Sequence, residues 1–533
     1  MSCLDRVTAT TQTRSRRNLQ IGARHRLHPD TIAQAAADVD SLLALDQDAE
    51  KAITHAHQAF GRAVQSGREI YGTTTGFGPF VKYASSGRHC DLQGKNLIAH
   101  LGAGSGDRTP LWIVRIAQII RAHCMSQGRS GTRLETVHAY LKLFNDGMVP
   151  SVPQLGSLGA SGDLVPLAHI VRALTGETMT ALLSKERLLE AAPQKHWFTE
   201  RNLQPPQLSS RDALSMVNGT SFSTAWLVAA HHQTRQLIEH AETLTGWLYA
   251  TLGARIEALD PRLHSARGHP NQVTSAAKIR QALEDFTPKT RPMKTGERAL
   301  QEIYSVRCAP QVLGACRDNL DFAENCLNNE INGISDNPVI DVSGSVADPI
   351  HGGNFFAQQI AFAADLLNLA ITQTAALAER QIDALFNPEI NNGAPLLLAY
   401  EPGATSGLAG AQITASAVLA EMRQHAYPGS ITSIPTNGGN QDIVPMANNA
   451  ARNAYFQCSN LATILSVLAR SLEQYRFLAQ EGKINTTPTR PNFISACCAP
   501  IIQDRALEEE IADIQSNLLD PKSNKEDIFK AEE

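Results

Sequence analysis

Aromatic side chains are scarce in this chain and make up only 5% of its 533 residues. Strands select β-branched and aromatic residues, so a core supplied mainly by alanine and leucine favours close-packed helices over sheets. An excess of positive charge is missing as well, since the formal net charge is -5. A protein that binds nucleic acid needs a basic face, and we therefore expect no nucleic-acid partner.

Several other signals are absent. The nine cysteines offer no CxxC pair, which fits a reduced cytoplasmic setting. No apolar run approaches the ~20 residues of a membrane span, and the N-terminus has no apolar signal core. There is no HExxH motif and no P-loop, and the glycine-rich stretch Gly102–Gly106 lacks the strand context of a dinucleotide site. These absences predict a cytoplasmic protein with no metal, no external cofactor and no membrane partner.

Helical spacing of apolar residues organises the chain into four parts. We predict a flexible polar tail over residues 1–28, a smaller domain over 29–205, a bundle of long helices over 206–481 and a peripheral segment over 482–533. Several patterns in the bundle exceed the mean helix of about 11–12 residues by a wide margin. The predicted helices cover roughly residues 29–43, 92–101, 111–123, 132–145, 164–174, 211–259, 311–332, 355–386, 407–424 and 445–481.

The stretch GSLGASGDL, Gly156–Leu164, places three small residues, Ala160, Ser161 and Gly162, between two apolar segments. The simplest interpretation is a loop in which Ser161 or Asp163 caps the following helix. A serine nucleophile would need the spacing G-x-S-x-G and a partner base. That spacing is absent, so the pattern argues against a hydrolase.

Ring closure of the backbone is a third possibility for this stretch. A sharp bend would let the nitrogen of Gly162 reach the carbonyl carbon of Ala160, because glycine has no side chain to block the approach. Closure with loss of two waters would give a five-membered imidazolone, and the β-carbon of Ser161 would become an exposed methylidene. The product would be an electrophile, which ordinary protein side chains hardly supply.

Six motifs in this order resemble those of the aromatic amino acid ammonia-lyase and aminomutase family, which includes histidine, phenylalanine and tyrosine ammonia-lyases. The motifs are Tyr71–Gly78, Gly156–Leu164, Val217–Ser221, Tyr304–Gln311, Asp336–Pro338 and His351–Phe355. The resemblance extends over about residues 30–480. It implies a mainly α fold with a long central helical bundle of the ammonia-lyase and fumarase type. It also implies a homotetramer whose active sites are built by several chains.

The resemblance gives catalytic roles to six residues. Ala160, Ser161 and Gly162 would form the family's 4-methylideneimidazol-5-one group (MIO), carried by the smaller N-terminal domain, with no external cofactor. Tyr71 matches the base that takes the β-proton. Asn218 would hold the prosthetic group, and Tyr304 would contact it and the departing amine. Without the resemblance, Tyr71 would be read as a tyrosine packed beside a glycine loop.

A second set of residues is predicted to bind the substrate. Arg307 matches the carboxylate clamp, since a guanidinium grips a carboxylate in two places. Asn337 and Gln441 are expected near the carboxylate or amine, and Phe355 is expected to wall the pocket. The full substrate-binding set is Gly78, His100, Leu101, Arg307, Asn337, Phe355, Asn437, Asn440 and Gln441.

The substrate is predicted from two positions. His100 and Leu101 match the pair at the ring end of the pocket, where tyrosine lyases show His-Leu, histidine lyases Ser-His and phenylalanine lyases often Phe-Leu. An imidazole can hydrogen-bond a phenol, and a buried polar group left unmatched costs ~1–3 kcal/mol. Histidine lyases carry a glutamate where Gln441 stands. We therefore predict an ammonia-lyase that converts L-tyrosine to 4-coumarate. A tyrosine 2,3-aminomutase, a histidine ammonia-lyase and a catalytically dead helical scaffold are the alternatives.

Overall fold

The computed structural model describes residues 18–85, 90–177, 179–183, 188–193, 205–286, 300–344, 348–484 and 498–520. Short helices and short strands alternate in its N-terminal part. The helices there are α1 (Pro29–Ala37), α2 (Gln47–Gln65), α3 (Cys90–His100), α4 (Leu111–Ser126), α5 (Leu134–Asn145) and α6 (Leu164–Leu174). The strands are β1 (Asn18–Ile21), β2 (Leu42–Leu45), β3 (Ser105–Arg108), β4 (Met148–Pro150), β5 (Pro153–Leu155), β6 (Met179–Leu183) and β7 (Leu188–Pro193).

The strands form small separate sheets and not one continuous layer. Each sheet fixes the loops beside it. β1 and β2 pair in parallel, β3 and β5 pair antiparallel, and β4, β6 and β7 form an antiparallel sheet with β6 in the centre. The β3–β5 pair immediately precedes the loop that leads into α6. It therefore ties the end of α3 to the Ala-Ser-Gly loop.

Helices fill the second half of the chain, and several of them are long. They are α7 (Ser210–Val217), α8 (Ser221–Leu252), α9 (Pro261–Arg267), α10 (Pro270–Phe286), α11 (Tyr304–Arg307), α12 (Ala309–Asn332), α13 (Gln358–Phe386), α14 (Ala409–His425), α15 (Ala447–Gln480) and α16 (Glu508–Leu519). An antiparallel pair, β8 (Val339–Asp341) and β9 (Asp348–Ile350), follows α12. At about 1.5 Å per residue, the 34-residue helix α15 is about 50 Å long.

The core of the molecule lies where α8, α12, α13 and α15 pack side by side. Alanines are frequent on their buried faces, as in Ala364, Ala375 and Ala378 of α13. Small side chains let helix axes approach closely, which explains how a chain with so few aromatic residues fills its interior. The predicted mainly α fold with a long central bundle is confirmed.

Helix α13 corrects one expectation drawn from the sequence. Within the described residues, α13 is the one helix whose length and apolar composition would suffice to cross a membrane, although no apolar run was expected to approach that length. Most of it is buried inside the molecule against α8, α12 and α15. A helix that is apolar on most sides belongs in the core of a large bundle, and this is where α13 lies.

Most of the predicted helices agree with the structure. Residues 164–174 match α6 at both ends. The predictions at 311–332, 355–386, 407–424 and 445–481 correspond to α12, α13, α14 and α15 within a few residues. Five helices, α2, α9, α10, α11 and α16, were not predicted.

Three sequence-based boundaries differ from the structure. The helix expected over 211–259 is interrupted at residues 218–220 and ends at Leu252. The segment 29–43 holds α1 only to Ala37, after which the chain turns into β2. Part of the predicted tail is ordered structure, since strand β1 lies within residues 1–28 and its Ile21 is 0% exposed. Residues 1–17 lie outside the described part.

Candidate active site

The loop between β5 and α6 holds the Ala-Ser-Gly triplet against the break between α7 and α8. Gly162 has a φ of 73°, and a Cβ at this position would lie 2.3 Å from the backbone nitrogen of Gly219. The Gly162 N–H donates to the carbonyl of Phe355 at 3.1 Å, and the Asp163 N–H donates to the carbonyl of Gly219 at 2.8 Å. Only glycine fits at position 162, and the backbone there is sharply bent.

Asp163 anchors this bend to the start of α8. Its buried carboxylate accepts the backbone N–H groups of Phe222 and Ser223, at 2.8 and 2.7 Å. It also accepts the hydroxyls of Ser157 at 2.7 Å and Ser223 at 2.6 Å. Burial raises the pKa of Asp163, and these hydrogen bonds oppose the rise. The simple interpretation that Asp163 caps the next helix is wrong, because its side chain caps α8 and makes no capping bond to α6.

A buried cluster of charged side chains packs against the break between α7 and α8. The guanidinium of Arg121 on α4 donates to the carbonyl of Asn218 at 3.1 Å, and a Cβ on Gly219 would lie 1.9 Å from its Nη1. Asp336 lies 3.8 Å from Arg121 and 2.9 Å from Arg211. Sequence reasoning missed this cluster. The available signal was the presence of two arginines, Arg115 and Arg121, within the largely apolar helix α4.

Removal of Arg121 provides a test of this support. We expect Arg121→Leu to lower the free energy of unfolding by about 3 kcal/mol, because it leaves a buried carboxylate and the Asn218 carbonyl short of a partner. Urea unfolding followed by circular dichroism measures the change. Arg24→Leu is the control, since the Arg24–Asp48 pair is exposed and such pairs contribute at most about 1 kcal/mol. Equal stability of Arg121→Leu and the parent chain would contradict the assigned role.

The predicted base lies in the loop that follows α2. The phenol oxygen of Tyr71 accepts the backbone N–H of Gly78 at 2.8 Å, and the Tyr71 N–H donates to the Nε2 of His351 at 3.1 Å. Burial raises the pKa of the Tyr71 hydroxyl, and the Gly78 hydrogen bond only partly opposes it. The groups of this one chain therefore position Tyr71 but do not lower its pKa.

The loop at residues 436–446 lies over the triplet. The Nε2 of Gln441 donates a hydrogen bond to the hydroxyl of Ser161, across 280 positions of sequence. Ala160 packs with Val444 and Met446 in a small apolar cluster. In the same loop, Asn437 lies beside the tyrosine loop, because a Cβ on Gly78 would be 3.8 Å from the Asn437 side-chain nitrogen. Asn440 occupies the turn between them, its N–H donating to the Asn437 carbonyl at 3.2 Å.

The two asparagines predicted for the site are joined to each other. The Nδ2 of Asn218 donates to the carbonyl of Asn337 at 3.4 Å, and the Oδ1 of Asn337 accepts the N–H of Gly352 at 2.9 Å. The Oδ1 of Asn218 is buried and has no hydrogen-bond partner among the described residues. That oxygen is therefore left to bind a group outside the ordinary chain. Phe355 contributes its backbone carbonyl, which accepts the N–H of Gly162.

Two of the predicted site residues lie at the opposite end of α12 from Asn337. Tyr304 and Arg307 form α11, directly before α12, whereas Asn337 follows the end of that helix. The 24 residues of α12 separate the two groups by about 36 Å. Within one chain, Tyr304 and Arg307 are therefore kept apart from Asn337. Arg307 stacks on the Tyr304 ring at 4.7 Å, its Nε is buried without a partner in the described part, and Tyr304 is 72% exposed.

The predicted specificity pair lies at the end of α3. The Nδ1 of His100 is 2.8 Å from the carbonyl of Asn96 in the same helix, and Leu101 is 8% exposed and belongs to the core. Just beyond it, the N–H of Gly104 donates to the ring of His169 on α6 at 3.4 Å. This contact and the β3–β5 pair bring the end of α3 back toward the triplet loop.

Comparison with known proteins decides the family. A family model described as aromatic amino acid lyase matches residues 27–490. The chain belongs to the aromatic amino acid lyase family. Its resemblance to the family's motifs and the ammonia-lyase type of its helical bundle are thereby confirmed.

Relatives of this aromatic amino acid lyase differ in their substrates. The tyrosine ammonia-lyase of Cereibacter sphaeroides is 37% identical over 503 residues, which cover 91% of this chain and 95% of the relative. The histidine ammonia-lyase of Geobacillus thermodenitrificans is 35% identical over 83% of this chain and 86% of the relative. Among solved structures, the tyrosine aminomutase of Streptomyces globisporus superposes with a TM-score of 0.86 at 27% identity, covering 95% and 97% of the two chains.

Proposed function

We propose that this lyase removes ammonia from L-tyrosine to give 4-coumarate. The observation that carries the substrate assignment is the hydrogen bond between His100 and its own helix. A backbone carbonyl only accepts, so the Nδ1 of His100 must bear the proton. In the neutral ring, the exposed Nε2 is then an acceptor, and it matches the donor hydroxyl of a phenol. A phenylalanine ring offers no such donor.

The proposed reaction needs the MIO group at Ala160, Ser161 and Gly162, and the residues present fit it. The chain is sharply bent at Gly162, with no room for a side chain there or at Gly219. The Oδ1 of Asn218 is buried without a partner among the described residues. When present, the group supplies an electrophilic carbon that captures the substrate amine. In the part of the chain that the structure describes, no cluster of three His, Cys, Asp or Glu side chains is arranged to hold a metal.

The side chains of the protein would supply the remaining chemistry. As its phenolate, Tyr71 would accept the β-proton at its phenol oxygen and become neutral, and the Gly78 N–H bonded to that oxygen stabilises the phenolate. The Nε of Arg307 has no partner among the described residues, and its guanidinium can bind the substrate carboxylate in two places. The Nδ2 of Asn337 is a further donor for the carboxylate, since the Oδ1 of the same side chain already accepts the Gly352 N–H.

We also propose a homotetramer in which one copy provides the end bearing Tyr304 and Arg307 to the triplet of another. The separation of these residues along α12 supports this arrangement. So do large apolar side chains that are exposed on the bundle surface, among them Phe362 on α13 and Ile413 on α14. Exposed apolar patches mark interfaces between proteins.

The His100 side chain should set the preference for tyrosine. We expect His100→Phe to lower kcat/KM for tyrosine by about 10–100-fold, because the phenol loses its acceptor at a cost of ~1–3 kcal/mol. The value for phenylalanine should rise or stay constant. Steady-state rates followed by ultraviolet absorbance of the arylacrylate products give both numbers, and Leu92→Phe on the exposed start of the same helix is the control. An equal fall for both substrates would remove the support for tyrosine.

A tyrosine 2,3-aminomutase is the second candidate, favoured by the close structural match to an enzyme of that name. The purified chain incubated with tyrosine distinguishes the two by product. Release of 4-coumarate with one equivalent of ammonia supports the lyase, whereas accumulation of β-tyrosine supports the mutase. Urocanate formed from histidine faster than coumarate from tyrosine would instead establish the histidine ammonia-lyase.

A further inference from the structure

Gln441, which was predicted to bind the substrate, makes a hydrogen bond to a side chain of the triplet. Its Nε2 donates to the hydroxyl of Ser161, the oxygen that must leave if Ser161 becomes a methylidene. We propose that Gln441 promotes the loss of the Ser161 hydroxyl while the prosthetic group forms. This inference rests on the proposed function, because it assumes that the triplet is converted.

The loop that carries Gln441 is built to keep it there. The backbones of Thr436 and Gln441 are bridged by two hydrogen bonds of 3.0 and 3.3 Å. Between them, Asn437, Gly438 and Gly439 have φ values of 56°, 62° and 81°, a left-handed run that glycine and asparagine tolerate best. On the other side of Gln441, Val444 and Met446 pack on Ala160. The loop is thus held by its own backbone on one side of Gln441 and packed on the triplet on the other.

The chemistry has two separable steps. In ring closure, the nitrogen of Gly162 bonds to the carbonyl carbon of Ala160, whose oxygen leaves as water with the amide protons of Ser161 and Gly162. In the second step, the Ser161 Cα–H and Cβ–O bonds break, a Cα–Cβ double bond forms, and the oxygen leaves as water with the Cα proton. Hydroxyl is a poor leaving group. A fixed N–H donor on that oxygen stabilises the negative charge that develops as the C–O bond breaks.

An amide suits this role, because the Nε2 of glutamine is a hydrogen-bond donor at every pH. Gln441→Met keeps the length of the side chain and removes the donor.

The test is a time course of the mass of the full-length chain, freshly expressed and purified, with fragment spectra of the peptide that spans residue 161. The parent chain should lose two waters. In Gln441→Met and Gln441→Leu, loss of the second water should slow about 100-fold, so that chains accumulate with one water lost and the Ser161 hydroxyl retained. Ile443→Ala, an exposed residue of the same loop, is the control and should mature like the parent.

The outcomes separate this inference from the proposed function. If both variants lose two waters as fast as the parent, Gln441 has no part in maturation, and the proposed function stands. If the variants keep both waters, Gln441 acts before ring closure and the inference fails. If the parent chain itself loses no water, the proposed function fails. Should Gln441→Leu not fold, Gln441→Met, which keeps the length of the side chain, decides.

Discussion

Replacement of Gly162 by alanine should abolish activity, with a fall in kcat of about 10⁴-fold or more. The new Cβ would lie 2.3 Å from the Gly219 nitrogen, and alanine is strained at the φ of 73° found there. The bend would open, and the approach of the residue 162 nitrogen to the Ala160 carbonyl carbon that ring closure needs would be lost. Intact mass spectrometry should show that no water is lost, and ultraviolet assays should show no arylacrylate.

The matched control for that variant is Gly61→Ala. Gly61 lies inside helix α2, and a Cβ there would meet nothing within 4 Å. This change should leave maturation intact and increase stability by up to about 1 kcal/mol, because alanine is the better helix former. A Gly162→Ala chain that still loses two waters would show that the tight contact with Gly219 is not required.

Two inactive variants should restore activity when they are mixed. We expect Tyr71→Phe and Arg307→Met each to lower kcat/KM by about 10³-fold alone. Co-expressed in equal amounts, they should regain about a quarter of the parent activity, because random assembly into symmetric oligomers pairs an intact Tyr71 with an intact Arg307 at about one site in four. The prediction follows from the roughly 36 Å that α12 places between Arg307 and Asn337.

A second mixture provides the control for complementation. Tyr71 and Ser161 belong to the same half of the proposed site, so Tyr71→Phe and Ser161→Ala both damage that half. Their mixture should stay inactive, because every copy then carries a defect in its own half of the site. If the Tyr71→Phe and Arg307→Met mixture also stays inactive while tetramers form, Arg307 does not serve the triplet of another copy.

The helices were predictable from the sequence where an apolar stripe repeats along a long segment, as for α6 and α12 to α15. The interruption at Gly219 was left out of the predicted helix, although the Asn218-Gly219 pair is a local turn signal. It is imposed by Asp163, Arg121 and Gly162, which come from other parts of the chain. The role of Asp163 was misjudged for the same reason, since a side chain at a helix start is usually assigned to that helix.

The residues of the motifs and their order along the chain alone determined the family. The alanine-rich, aromatic-poor composition determined a helical bundle. Only the tertiary structure decided which of the motif residues meet. It brings Gln441 to Ser161 across 280 positions and keeps Arg307 away from Asn337, although they lie only 30 positions apart in the sequence. The physical reason is that a helix has a fixed rise per residue and so holds its two ends apart, whereas loops can return the chain to any neighbouring helix.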